Sequence, residues 1–174
     1  VSNNNSTNSW DDGFEGNFWN NYTGSDANLD GIGDTPQTID SKNRDNYPLM
    51  GIFRSFDTPL NYDVNVVSNS TINDFEYFET NSTIKLQISN MTEGETYGFC
   101  RISIPHDLID PSNGPIVVVI DNGQTPVLFL NTSVYDNGTH RWIYFTYQHS
   151  THEVLVVPEH LTSLIILCFM VATF

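Results

Sequence analysis

Asp26, Asn28, Asp30 and Asp34 stand at positions 1, 3, 5 and 9 of the segment DANLDGIGDT (26–35). Alternate residues of a tight loop can turn their oxygens inward, and a hard cation such as calcium takes about six to eight of them. Gly31 at position 6 permits the sharp turn, and Ile32 at position 7 can offer its carbonyl. This is the donor spacing of an EF-hand-type calcium loop. It departs from that pattern at position 12, where Gln37 replaces the bidentate glutamate, so a later carboxylate, Asp40 or Asp45, has to complete the shell. The expected ligands are Asp26, Asn28, Asp30, Ile32, Asp34 and Asp40. No helix pair flanks the loop, so the expected role of calcium is structural; the alternative is an Asp/Asn/Gly turn without metal.

Few other residues carry a recognisable chemistry. There is no Gly-rich phosphate loop, no Gly-x-Ser-x-Gly elbow and no CxxC. Cys100 precedes Arg101 within an apolar run, where a buried strand cysteine is expected rather than a reactive thiol. Asn-x-Ser/Thr sequons occur at Asn4, Asn5, Asn21, Asn69, Asn81, Asn90, Asn131 and Asn137. With 20 Asn, and 32 Ser and Thr among 174 residues, chance gives about four. The excess agrees with an extracytoplasmic, glycosylated chain.

Charge removes one class of partner. With 21 acidic and 6 basic side chains, the net charge is -15, and the bases are scattered. Neutralising phosphates needs clustered Lys and Arg, so nucleic acid is excluded as a partner. The hydrophobic fraction of 39% and aromatic fraction of 13% are too high for a disordered acidic tail.

The elements that must hold these residues are strands. Runs at 62–68, 72–78, 83–89, 97–104, 115–121, 126–131, 140–148 and 152–157 read as β, and several alternate strictly. Ile84, Leu86 and Ile88 fall on one face, with Lys85 and Gln87 on the other. Turn signals separate the runs, among them Asp-Asn-Gly at 121–123 and 136–138. An antiparallel β-sandwich is expected over 61–157, with HRWIYFTYQHSTHEVLVV as a hairpin turning at Gln148-His149-Ser150-Thr151. Residues 52–60 read as a linker, and 1–51 as a Gly-, Asn-, Asp- and aromatic-rich unit without apolar periodicity. The uncharged run LTSLIILCFMVATF (161–174), behind Pro158, reads as a membrane anchor cut short, since a span takes about 20 residues.

Residues 10–50 resemble the C-terminal end of NosD-like right-handed parallel β-helix repeats of archaeal surface proteins. The elements that match are Trp10-Asp11-Asp12-Gly13, Gly16-Asn17-Phe18-Trp19, the stretch from Asp26 to Pro36, and Asp45-Asn46-Tyr47-Pro48-Leu49-Met50. The later strands look like the β-domain that follows such helices before a C-terminal anchor. The resemblance implies an all-β chain in which 1–51 is the last coil and cap of a parallel β-helix. Phe18, Trp19 and Tyr22 would plug its open end, and a sandwich and a truncated hydrophobic helix (158–174) would follow. The expected function is that of a non-enzymatic, calcium-stabilised, membrane-anchored cell-surface glycoprotein, a scaffold or a binder of surface glycans.

Two alternatives stay open. Parallel β-helices include enzymes acting on polysaccharide, which need paired carboxyls. Asp11 with Asp12 and Glu76 with Glu79 are the available pairs, Arg44 is the nearest base, and catalytic groups are more readily expected upstream. The NosD name also implies copper handling. Copper favours His, Met and Cys donors, and the cluster on offer is His149 with His152, with His140 and Glu153 as possible neighbours.

Overall fold

The computed structural model describes residues 6–89, 96–110, 112, 114–121, 127–129 and 133–159. Among them the strands run β1 (Gln37–Thr38), β2 (Arg44–Asp45), β3 (Ile52–Asp57), β4 (Asp63–Ser68), β5 (Thr71–Phe78) and β6 (Thr83–Ser89). They continue as β7 (Tyr97–Pro105), β8 (Ile116–Asp121), β9 (Val127–Phe129), β10 (Ser133–Asp136), β11 (His140–Gln148) and β12 (His152–Pro158). Ten of these form two five-stranded antiparallel sheets, ordered β10-β11-β7-β4-β3 and β5-β6-β12-β8-β9.

The alternation decides which way each strand faces. Ile84, Leu86 and Ile88 of β6 and Val154 and Val156 of β12 meet Val64 and Val66 of β4, Ile102 and Ile104 of β7, and Ile143 and Phe145 of β11 in one apolar cluster between the sheets. Most of these side chains have no exposed surface. Each one fully buried contributes about 1.5–3 kcal/mol of transfer free energy. Phe56 of edge strand β3 stacks on Phe75 of edge strand β5 at 4.7 Å, closing one open side of the sandwich. Among the described residues the chain is all-β, and the eight sequence-read strands recur with small boundary shifts.

Four expectations are corrected or left aside. The proposed hairpin of β11 and β12 does not pair with itself: β11 pairs with β7 and β10, and β12 with β6 and β8. The corner at 149–151 instead carries the chain from one sheet to the other, so the inward residues of the two strands face each other across the core. The segment read as a linker contains β3, which lies along β4 from Ile52↔Ser68 to Asp57↔Asp63. Within 6–51 no coil of a parallel β-helix forms. Pairing there is limited to the β1-β2 ladder, a parallel bridge between Phe18 and Leu49, and an antiparallel bridge between Ile32 and Leu49. The apolar run 161–174 lies outside the described residues, and among those described no helix is long and apolar enough to cross a membrane.

Residues 6–51 lie across the outer face of the first sheet. Ile32 and Leu49 pack with Val67 of β4 and Phe99 of β7. Phe14 sits 4.7 Å from Tyr135 and 5.1 Å from Trp142, ring centroid to centroid. β7 and β11 are thus covered on both sides, which is why Phe99, Arg101, Trp142 and Tyr144 stand at outward positions usually given to small polar residues.

Candidate functional site

The loop at 25–34 is closed by its own aspartates. Asp26 accepts the backbone N–H of Asp30 through Oδ1 at 3.0 Å and that of Gly31 through Oδ2 at 2.8 Å. Asp30 accepts the N–H of Ile32 at 2.9 Å and the side-chain amide of Asn28 at 2.9 Å. Asp34 accepts the N–H of Ala27 and the hydroxyl of Ser25, and its own N–H donates to the Ser25 carbonyl at 2.8 Å. Gly31, at φ +82°, makes the turn that a side chain would oppose. A short segment rich in Asp, Asn and Gly folds this way because carboxylates compete with strand pairing for nearby amides.

Beneath the loop lies a buried cation that the sequence reading did not single out. Arg101 of β7 is buried, with 3% of its surface exposed, and its guanidinium pairs with Glu15. The guanidinium carbon lies 5.3 Å from the Phe14 ring centroid and 5.7 Å from that of Trp142, whose indole N–H donates to Glu15 at 3.0 Å. A Cβ on Gly31 would sit 2.8 Å from Arg101 Cδ, so glycine is required by contact as well as by φ. Burial pulls the Arg101 pKa down, while Glu15, Asp30 and Asp26 favour its charged form. Burial raises the Asp26 carboxyl above its ordinary value, against the two amides that stabilise its anion. Tyr144, beside Arg101 in register, is pushed up to about 12 by burial and then by Asp26 and Asp30. An arginine in the outward set of an otherwise apolar strand, GFCRISIP, was the available signal that something acidic covers that face.

The donors Asp26, Asn28, Asp30, Ile32 and Asp34 therefore share one loop, with the all-oxygen chemistry a hard cation takes. Each Asp30 oxygen accepts one hydrogen bond and keeps a lone pair to offer, whereas Asp34 Oδ2 is filled by Ala27 and Ser25 and leaves Oδ1. Asp40 is not part of the loop. It sits in the β1-β2 turn, where it accepts the N–H groups of Lys42 and Asn43 and the Asn43 side-chain amide. Asp45 is fully buried and accepts from the Asn17 N–H at 2.6 Å, the Trp19 indole at 2.8 Å and the Tyr47 N–H at 3.0 Å. Both are structural acceptors for the N-terminal segment. Among the described residues no three His, Cys, Asp or Glu side chains converge as a ready-made metal cluster.

The other candidates separate. His149 Nε2 lies 3.0 Å from Ser70 Oγ, and His152 Nε2 donates to the Gln148 carbonyl at 2.7 Å. Both rings meet Tyr147 edge-on. His140 stands at the opposite end of β11, roughly 26 Å along the strand. Glu76 pairs with Lys85 at 3.0 Å, and Asp11 accepts the backbone and side-chain N–H groups of Asn46. Cys100 is buried and its thiol is pushed up to about 11 by burial. Of the sequons, Asn21, Asn81 and Asn137 are exposed. Asn69 instead spends its amide between the β7 backbone groups Phe99 N–H and Tyr97 C=O. Asn4, Asn5, Asn90 and Asn131 lie outside the described residues. Compared with protein families, with characterised proteins and with solved structures, the chain finds no match.

Proposed function

We propose that this chain is a non-enzymatic, calcium-stabilised module of a membrane-anchored cell-surface glycoprotein, related to the NosD-like surface proteins that residues 10–50 resemble. The observation that carries the calcium reading is the loop at 25–34. Three aspartates close it, the Asp26 anion is held there at the expense of burial, and the cation beside it, Arg101, is already engaged by Glu15. A divalent cation neutralises the residual charge that Arg101 leaves, and so tightens the segment that covers the first sheet. The exposed sequons at Asn21, Asn81 and Asn137 and the uncharged run 161–174 support a glycosylated, anchored surface location.

Thermal melting of the chain in calcium and in chelator tests this. Calcium at about a hundred times its dissociation constant is expected to add about 2.7 kcal/mol. Asp30→Ala should abolish that shift and His149→Ala should preserve it. An unchanged melting temperature in calcium ends the metal reading. The surface location is checked by protease shaving of intact cells that make the protein: sandwich peptides must be released without lysis.

A further inference from the structure

A second feature of the N-terminal segment has no part in the cation loop. Between residues 9–18 and edge strand β3 lies an open cleft of about 490 Å³, within the size range of small-ligand sites. Its walls carry three aromatic rings, Trp10, Phe18 and Phe53. Phe18 and Phe53 are 38% and 45% exposed, so two large apolar rings face solvent in one concavity, and Leu49 lies between the walls as its buried apolar surface. Trp10 is held in place through its indole N–H on Asn43 and its ring against Trp19 at 5.6 Å. Three polar side chains of the lining are acceptors with capacity left. Asp12 uses Oδ1 for the amides of Phe14 and Glu15, Glu15 uses Oε1 for Arg101 and Trp142, and Asn17 donates its side-chain amide to the Trp10 carbonyl. Among the described residues Asp12 Oδ2, Glu15 Oε2 and Asn17 Oδ1 remain, and no Lys, Arg or His lines the cleft.

From this combination we infer that the cleft binds a neutral saccharide chain. Aromatic faces carry partial negative charge and pack against the C–H faces of a sugar ring, while its hydroxyls donate to fixed carboxylate and amide oxygens. Phosphate, sulfate and uronate groups are rejected, because the lining offers them acceptors and negative charge but no cation. The inference rests on the surface-module reading for where such a glycan is met, but the binding chemistry needs neither calcium nor the loop at 25–34.

The test is titration calorimetry of the full chain, in calcium and again in chelator. The probes are cellohexaose, mannohexaose, maltohexaose and xylohexaose, with oligogalacturonate and oligolysine as charged controls. At least one neutral hexaose should bind, in both buffers. Phe53→Ala should weaken it by about tenfold or more, as removal of a central aromatic anchor does. Tyr97→Ala, which removes an aromatic 68% exposed elsewhere, should change nothing. Asp12→Asn keeps the Oδ1 acceptor for both amides but turns the free Oδ2 into a donor, and should weaken saccharide binding by about three- to tenfold. The inference is overturned if no neutral hexaose binds at about 10 mM, a free energy of about -2.7 kcal/mol. It is also overturned if Phe53→Ala, with an unchanged melting temperature, binds as the parent does. Binding of oligolysine alone, lost in Asp12→Asn, would make the cleft an acidic patch for cations. A missing calcium melting shift beside intact saccharide binding would sink the metal reading and leave this one standing.

Discussion

The two faces of the first sheet are covered by opposite means. Its inner face meets the second sheet through a mainly aliphatic cluster, with Val66, Ile102 and Ile143 in one row of the register. Its outer face meets a segment with almost no regular structure, fastened by an ion pair between buried Arg101 and half-buried Glu15, a guanidinium between two aromatic rings, and carboxylates that cap turns. The first interface is non-directional and scales with area; the second depends on a few oriented contacts. A change to the inner face therefore acts on the whole sandwich, whereas a change to the outer face can free residues 10–51 while the sheets persist.

Breaking the inner side has the largest effect. Ile102→Ala leaves a cavity among fully buried neighbours and should cost about 2–5 kcal/mol, read as loss of both sheets in a single denaturant transition. Arg101→Ala should cost about 3 kcal/mol, since it strands Glu15 and removes both ring contacts. Its signature is selective: hydrogen exchange should rise through 10–51 while β6 and β12 stay protected, and equal exposure of both regions would refute the distinction. Asp45→Asn should cost about 1–3 kcal/mol, because an amide cannot accept from Asn17, Trp19 and Tyr47 together. Limited proteolysis near Trp19 is its readout.

The smallest effect is on pH. Asp26 has a raised pKa in the folded chain, so the stability linked to it is full below its unfolded value and is lost as pH rises through the folded one. Asp11 and Asp136 are lowered mainly by backbone N–H groups, so their contribution is present above the ordinary carboxylate value and is lost as pH falls through the folded one. In chelator these opposing trends should flatten the melting profile on the acid side. With calcium the profile should steepen upward toward neutral pH, because the metal binds the Asp26 anion.

The inner interface was legible because alternation reports it directly: TIKLQIS, with Ile84, Leu86 and Ile88 in phase, can bury only one side. Pairing was less legible. The turn at Gln148 to Thr151 marks a reversal but not whether the flanking strands bond, and a corner between sheets carries the same residues as a hairpin. β3 and β10 were missed because edge strands bury little and need no alternation; IFRSFD is mostly exposed. The candidate loop was readable down to its glycine, because donor spacing is a local property. Its completion by Asp40 was not, since Asp40 is tied to Asn43, and neither was Arg101, whose acidic partner Glu15 lies 86 positions away.

The position of β12 sets a timetable for synthesis. It is the last strand described, yet it lies in the middle of the second sheet, hydrogen-bonded to β6 on one side and β8 on the other. Until residue 158 has left the ribosome or translocation channel, β6 and β8 each present a bare edge lined by core residues, and neither can be satisfied by any earlier part of the chain. Such long-range closure is slow and leaves aggregation-prone edges exposed while it waits. Emergence of β12, rather than any local nucleus, is thus the step that permits this sandwich to close, and a stall before β12 would yield a sticky intermediate in place of a smaller folded domain.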